Sequence, residues 1–283
     1  MSAVRTPTLT IPAIPDRRAA RPALKVTQGR VLRSEFTKFR SLRSTAYTLL
    51  TAVVLMVGLG AIFSAVTASQ YHTFSAAARA SFNPITTSLS GVLFAVVAFG
   101  VLGVLVASGE YSTGMIRASL TAVPRRLPVL WGKLAVFAGV IFPVSLIASF
   151  SSFFLGQAVL SSHHIGVSIT APDALRSVVG AALYITVAGM IGVALGALFR
   201  NTAAGIATFA GVFFVIPPLA SLLPFSVSSH LTPYLPSNAG AALWGGAQNV
   251  QNPLAPWTGF ALLCGYAVVL IAAAAWRMRR SDA

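Results

Sequence analysis

The sequence has few charged residues. They make up 9% of its 283 positions, against roughly 25% in an ordinary soluble domain. Acidic residues are the scarcest, with 5 Asp and Glu against 20 Lys and Arg, and the formal net charge is +15. So few charges argue against a soluble one- or two-domain enzyme of this length. In a soluble protein, such an excess of positive charge suggests nucleic acid as a partner. In a membrane protein, it marks the side of the membrane on which the loops lie.

Two chemical features are also missing. Cys264 is the single cysteine, so no intramolecular disulfide can form. The chain has no GxxxxGK[ST] phosphate loop, because its one Gly-Lys pair, Gly132-Lys133, is followed by Leu134 and has Leu127 where the first glycine belongs. The chain therefore does not bind ATP by that route, and we expect no enzyme activity of its own.

Long apolar runs dominate what is present. A transmembrane helix needs about 20 mostly apolar residues, and six segments meet that requirement. The sequence predicts an all-α polytopic membrane protein with spans at about residues 45–67, 87–108, 134–159, 177–199, 204–224 and 257–276.

These predicted spans contain no Asp, Glu, Lys or Arg. Ion-coupled carriers usually place an acid within the membrane, since the ion needs a ligand there. With neither that acid nor a phosphate loop, a transporter of this composition has to take its energy from a partner.

The region before the first span divides into two parts. Residues 1–27 are rich in proline and basic residues, which is typical of a disordered tail. Residues 28–43 predict an amphipathic interface helix with Leu32, Phe36 and Phe39 on its apolar face. Such a helix lies in the plane of the membrane interface with its apolar face toward the lipid, and its basic residues attract anionic lipids. Glu35 lies near the edge of that face, at the spacing for an ion pair with Lys38.

The distribution of cations predicts the orientation. Eighteen Lys and Arg fall in the region before span 1, the loops between spans 2 and 3 and between spans 4 and 5, and the C-terminal tail, and only Arg79 and Arg176 fall on the opposite side. The positive-inside rule then places both termini on the cytoplasmic side of the membrane. The charge is concentrated on one side of nearly charge-free spans, so nucleic acid is not an expected partner.

The segment between spans 2 and 3 has the sequence GEYSTGMIRASLTAVPRRLPVLWGK and favours a small helix over about residues 112–121. Glu110 would lie at the end of span 2, where Arg117 or the interface helix could neutralise it. On composition alone, a solvated loop whose basic residues only set topology is an equal alternative.

Three segments in order carry a resemblance to a known family. RVLRSEFTKFRSLRSTAYTLL, the segment between spans 2 and 3, and TPYLPSNAG between spans 5 and 6 are similar to the corresponding parts of ABC-2 type transporter permeases. The resemblance covers the chain from about residue 28. It implies a membrane subunit of a bacterial ABC exporter that pairs with a second permease subunit and with a separate ATP-binding subunit, which would bind the ATP.

The resemblance also implies roles for particular residues. The interface helix and the loop after span 2 would dock on the ATPase, and Met115 departs from the small polar residue that is usual there. The docking residues would be Arg33, Glu35, Lys38, Arg40, Glu110, Tyr111, Ser112, Thr113, Gly114, Arg117, Pro124 and Arg126. By the same resemblance, spans 1, 2 and 5 would line the pathway, and the apolar interior favours an amphiphilic or hydrophobic cargo such as a drug, lipid or peptide.

Two span features have structural explanations. Gly192 and Gly196 form a GxxxG motif that brings helices close together, either within the chain or between two copies. Pro217 and Pro218 predict a break in span 5, whose freed carbonyls would need protein or water as partners. The sequence presents no catalytic or metal-binding set of residues.

Other functions remain compatible with the topology. A non-transporting anchor or sensor subunit of a signalling complex would need the same spans. An ion-coupled secondary carrier is a further alternative if backbone carbonyls bind the ion.

Overall fold

The structure is a computed structural model that describes residues 27–41, 43–112 and 126–280, with only the backbone described at Arg43, Ser112 and Arg126. Within these ranges the chain consists of helices joined by turns, and no strand occurs. The predicted tail lies outside the described residues except for Thr27. The helices are α1 (Gln28–Ser41), α2 (Arg43–Gln70), α3 (Ala76–Ala80), α4 (Pro84–Ser88), α5 (Val92–Ser112), α6 (Arg126–Ser161), α7 (Ala174–Phe199), α8 (Thr202–Ala210), α9 (Ile216–Ser221), α10 (Phe225–Leu231), α11 (Pro236–Ala241) and α12 (Pro256–Arg280).

Six of the described helical segments are long and apolar enough to cross a membrane, as the sequence predicts. They are α2, α5, α6, α7, the combined segment Thr202–Ser221, and α12. Several of them extend beyond their predicted ends; among these, α5 continues to Ser112 and α6 begins at Arg126. Glu110 and Lys133 therefore lie on the spanning helices, just outside the predicted limits of the charge-free segments.

The second span begins later than predicted. Instead of one helix from about residue 87, the short helix α4 ends at Ser88, and α5 begins at Val92 after a turn. The turn packs tightly on α2, since a Cβ on Gly91 would lie 2.0 Å from the carbonyl oxygen of Met56. Ser152 Oγ of α6 donates at 2.7 Å to Ser88 O, the carbonyl freed at the break, because the amide of Val92 donates to Leu89 O instead. Gln157 Nε2 of the same helix donates to Pro84 O at the start of α4 at 2.9 Å.

Helix α7 occupies the centre of the bundle. Of its most apolar 18-residue window, 78% is buried, against 22% for α2. Glycines allow the backbone of α5 to approach α7 closely. A Cβ on Gly192 would lie 2.2 Å from Gly100 O, and one on Gly196 would lie 2.5 Å from Val104 O. The GxxxG motif thus packs against α5 within the same chain.

The fifth span changes helix type ahead of its two prolines. A π-helical turn, Gly211–Val215, joins α8 to α9, which begins at Ile216 and carries Pro217 and Pro218 in its first turn. Prolines at i+4 and i+5 remove both helical donors for the carbonyl of Phe213, and the amide of Ile216 donates to Gly211 O. The Phe213 carbonyl therefore has no local donor within its own helix, although the chain continues helically to Ser221.

The long uncharged connection between spans 5 and 6 folds back onto the bundle. Its short helices pack against α7 and α12, with Leu243 and Trp244 buried. Glycines again permit the contact, because a Cβ on Gly240 would lie 2.3 Å from the ring of Tyr184. The hydroxyl of Tyr266 on α12 donates to the carbonyl of Tyr234 at 3.0 Å.

Candidate functional site: a buried charge cluster at one end of the bundle

Four charged side chains from three helices converge where α1 meets the end of α5 and the beginning of α6. We call Glu35, Lys38, Glu110 and Lys133 the charge cluster. Lys38 Nζ lies 2.6 Å from Glu35 Oε1 and 3.1 Å from Glu110 Oε1. Lys133 Nζ lies 3.0 Å from Glu35 Oε2 and 2.9 Å from Glu110 Oε1. Each lysine therefore bridges both carboxylates, and the set is electrically balanced.

Lys133 is the most completely engaged member. Its ammonium group donates to both carboxylates and to the carbonyl of Val106 at 3.2 Å, so all three donors are used. Its side chain is 9% exposed, whereas that of Lys38 is 28% exposed. Lys133 thus links α1 to α5 on the buried side of the cluster, and Lys38 links the same two helices on its more exposed side.

The packing of α1 explains how Glu35 becomes buried. Val31, Glu35 and Phe39 are buried, at the i, i+4, i+8 spacing of one helix face. The rings of Phe39 and Phe137 meet edge to face with centroids 6.3 Å apart. A Cβ on Gly132 would lie 3.0 Å from Val31 Cγ1, so this glycine permits the close approach of α1 to α6.

The packing of α1 adds a polar contact that its predicted apolar face does not show. Of the predicted apolar residues Leu32, Phe36 and Phe39, Phe39 packs into the bundle and Phe36 is 47% exposed, and the face that meets α6 contains the carboxylate of Glu35. Glu35 can be buried on the face that meets α6 because Lys38 and Lys133 both form ion pairs with it. The partner from α6 cannot be read from the amphipathic pattern of α1 alone. The predicted pair between Glu35 and Lys38 is present.

The surroundings of Lys38 favour its ionised form. Burial disfavours the charged form of Lys38, but its hydrogen bond to Glu35 and the charges of Glu110 and Glu35 outweigh that effect and raise the pKa of Lys38 above its ordinary value. Removing one member of such a buried set leaves an uncompensated charge, which is costly. Glu110 Oε2 is buried and has no hydrogen-bond partner within the described part of the chain.

A cavity adjoins the cluster. It has a volume of about 210 Å³ and is lined by the four charged residues together with apolar side chains, among them Phe39, Leu105 and Val136. The cluster forms its polar side.

A second set of contacts ties together the ends of other spans nearby. The guanidinium of Arg200 lies 5.2 Å from the ring centroid of Tyr111. Arg277 on α12 donates to the carbonyl of Leu198 near the end of α7. Ser108 and Thr202 share a hydrogen bond of 2.8 Å between α5 and α8. Spans 2, 4, 5 and 6 are therefore joined at the same end as α1.

The predicted docking residues divide into three groups. Glu35, Lys38 and Glu110 meet in the cluster, and Tyr111 lies beside it under Arg200. Arg33 and Arg40 are exposed on the other side of α1 and take no part in the cluster. The side chains of Ser112 and Arg126, and the whole of Thr113, Gly114, Arg117 and Pro124, lie outside the described residues, as does the predicted helix at about residues 112–121.

Lys133 is the residue that sequence reasoning missed as part of the site. The sequence presents it as one of several cations flanking an apolar run, which is the signature of topology alone. An unpaired acid at the end of one span and a cation at the beginning of the next could have suggested the contact. The structure also shows that α1 neutralises Glu110, one of the two partners expected for it.

No model of a known protein family matches the chain, and a search of curated proteins likewise finds no match.

Proposed function

We propose that this chain is the permease subunit of an ATP-binding-cassette exporter of the ABC-2 type, moving an amphiphilic or hydrophobic cargo across a bacterial plasma membrane. A separate ATPase subunit would bind and hydrolyse ATP, and a second permease subunit, identical or not, would complete the pathway. Both termini would be cytoplasmic. The order of the three family-like segments along the chain and the six-span architecture support this proposal.

The charge cluster is the observation that carries the proposal. A subunit driven by an external motor needs a rigid contact between the docking surface and the spans. The cluster joins α1 to the end of α5 and the beginning of α6, and the loop proposed to dock on the ATPase connects those two helices. A push on α1 or on that loop would therefore reach spans 2 and 3 together.

The test is reconstitution with an ATP-binding-cassette ATPase encoded beside this gene. We expect the two proteins to co-purify and the permease to change the rate of ATP hydrolysis. Glu110→Gln and Arg117→Ala should reduce that change while the protein remains monodisperse. Arg176→Ala, at the opposite end of the bundle, is the matched control and should have no effect. Failure to bind the ATPase, or hydrolysis that is insensitive to both variants, would contradict the proposal.

An ion-coupled carrier is the second candidate, because two acids are buried near one end of the spans. The cluster weakens this candidate, since each carboxylate already contacts two ammonium groups and the charges balance without an added ion. Transport in proteoliposomes decides between the two. Uptake that needs ATP and persists after ion gradients are collapsed supports the exporter, whereas the reverse result supports the carrier.

A further inference from the structure

A second cavity lies at the other end of the bundle, between the outer part of span 5 and the connection to span 6. Its volume is about 280 Å³, and it is lined by the prolines of α9, by hydroxyl side chains and by the amides of Asn238, Asn249 and Gln251. None of its lining residues carries a formal charge. We call it the polar chamber.

Hydrogen bonding within the chamber leaves a particular set of groups available. Thr232 Oγ1 donates to Ser228 O at 2.8 Å, and Ser221 Oγ donates to Pro218 O at 2.6 Å. These hydroxyls have therefore given their protons to the backbone and offer acceptor lone pairs to the chamber. The side chains of Asn249 and Gln251 are exposed and make no hydrogen bond within the described part of the chain, so they offer both donors and acceptors.

The two prolines give the chamber an apolar side as well. Pro217 and Pro218 present ring carbons there, and Val250 contributes a further apolar surface. The same prolines leave the carbonyl of Phe213 without a local helical donor, and a non-helical backbone group at membrane depth is tolerated where it meets protein or water.

The balance of groups excludes ions as the best ligand. An anion would need a compensating positive charge, but no lining residue is basic, and the amides of Asn249 and Gln251 donate without carrying a charge. A metal or ammonium ion would lose hydration without meeting a carboxylate. A sugar or polyol group has hydroxyls that both donate and accept, together with C–H faces that pack on apolar surface. We propose that the polar chamber binds an uncharged, hydroxyl-rich group such as a sugar or polyol, either free or as the head group of an amphiphile.

The single native cysteine makes this testable by thiol protection. In a Cys264→Ala background, Ser221→Cys places a thiol at the exposed edge of the chamber. The protein, reconstituted in lipid nanodiscs without any ATPase, is labelled with a small neutral maleimide. Octyl β-glucoside, free glucose, octyl sulfate and octyltrimethylammonium are compared as protecting agents, the amphiphiles below their micellar concentrations. The test does not depend on the exporter proposal, since neither ATP nor a motor is present.

We expect octyl β-glucoside to slow labelling severalfold and the two charged amphiphiles to leave the rate unchanged. If free glucose also protects the thiol, the sugar group is sufficient for binding. If the glucoside protects and glucose does not, the ligand is the head group of an amphiphile. Asn249→Ala and Gln251→Ala should abolish protection, which is measured for each variant as the ratio of its labelling rates with and without the protecting agent. Gln248→Ala is the matched control and should retain protection, because Gln248 lies in the same turn but bonds to Thr86 and does not line the chamber.

Three results would overturn the proposal. Equal protection by charged and uncharged amphiphiles would reveal non-selective partitioning. Absence of protection by both the glucoside and glucose would reveal an open cleft without a binding site. Protection that survives both Asn249→Ala and Gln251→Ala would place any binding elsewhere.

Discussion

At the scale of single residues, the cluster depends most on Lys133. It contacts both carboxylates and a backbone carbonyl, whereas each carboxylate has a second lysine in reach. Loss of its charge would leave Glu35 and Glu110 to share Lys38 alone. The buried set would then carry a net negative charge in a region with little water to solvate it.

We therefore expect Lys133→Met, which keeps most of the side-chain volume, to destabilise the protein by about 3–5 kcal/mol. Adding Glu110→Gln restores the charge balance and should recover part of that loss. Arg33→Met on the exposed face of α1 is the control, with an expected effect within about 0.5 kcal/mol. The measurement is thermal unfolding in detergent. Equal melting temperatures for Lys133→Met and the control would show that the cluster contributes nothing to stability.

A pH dependence belongs to Lys38. Because its folded-state pKa is raised, its charge stabilises the fold fully below the ordinary lysine pKa of about 10.4. That contribution declines as the pH rises through the higher folded-state pKa. The difference in melting temperature between the native protein and Lys38→Met should thus be constant from pH 7 to about pH 10 and shrink above it. A difference that grows with alkaline pH would contradict the direction of the shift.

Sequence reasoning predicted local charge contacts better than distant ones. The pair between Glu35 and Lys38 follows from spacing on one helix, and the structure contains it. Lys133 and Glu35 are 98 residues apart, so only the packing of α1 on α6 brings them together. Periodicity within a segment carries no information about such a contact.

At the scale of helices, the interface of α5 with α7 depends on glycine on both sides. Gly192 and Gly196 were visible in the sequence as a motif, but their partners on α5 were not. Gly100 supplies the carbonyl that faces Gly192, and a Cβ on Gly103 would lie 2.2 Å from Gly189 O. The motif indicates a close contact, whereas the identity of the opposing helix emerges only from the fold.

Gly192→Ala tests this contact. The added Cβ would lie 2.2 Å from Gly100 O, so α5 and α7 would have to separate, and overpacking of this kind costs about 1–3 kcal/mol. Gly265→Ala on α12 is the matched control, because a Cβ added there would have no neighbour within 4 Å among the described residues. That control should be neutral or stabilising, since alanine favours helix over glycine. Melting temperatures compare the two, and a lower value for Gly265→Ala than for Gly192→Ala would contradict the packing argument.

The beginning of span 2 and the course of span 5 show where hydropathy is insufficient. An apolar run does not distinguish one helix from two helices joined by a turn. The turn before α5 is stabilised by Ser152 of a different span, which donates to the carbonyl of Ser88. In span 5 the prolines predicted an irregularity, and the structure accommodates them with a π-helical turn while the helical path continues.

At the scale of the whole molecule, charge is divided between the two ends of the bundle. The charge cluster, Arg200 and the C-terminal arginines of α12 lie at the α1 end. Arg79 and Arg176 belong to the opposite end, where Arg79 donates to His72 O and Arg176 pairs with Asp173 at 3.1 Å. Since cations resist transfer across the membrane during insertion, the end with the larger excess should stay in the cytoplasm.

Cysteine accessibility in intact cells tests this orientation. In the Cys264→Ala background, Ser162→Cys lies at the end of α6 in an exposed turn away from the charge cluster, and Ser34→Cys lies on the exposed face of α1. An impermeant maleimide should label Ser162→Cys in whole cells and Ser34→Cys only after the membrane is opened. A fluorescent protein fused after Ala283 should also be bright, since it folds in the cytoplasm. Labelling of Ser34→Cys in sealed cells would show that the topology is the reverse of the predicted one. In that case α1 could not dock on a cytoplasmic ATPase, and the exporter proposal would be wrong.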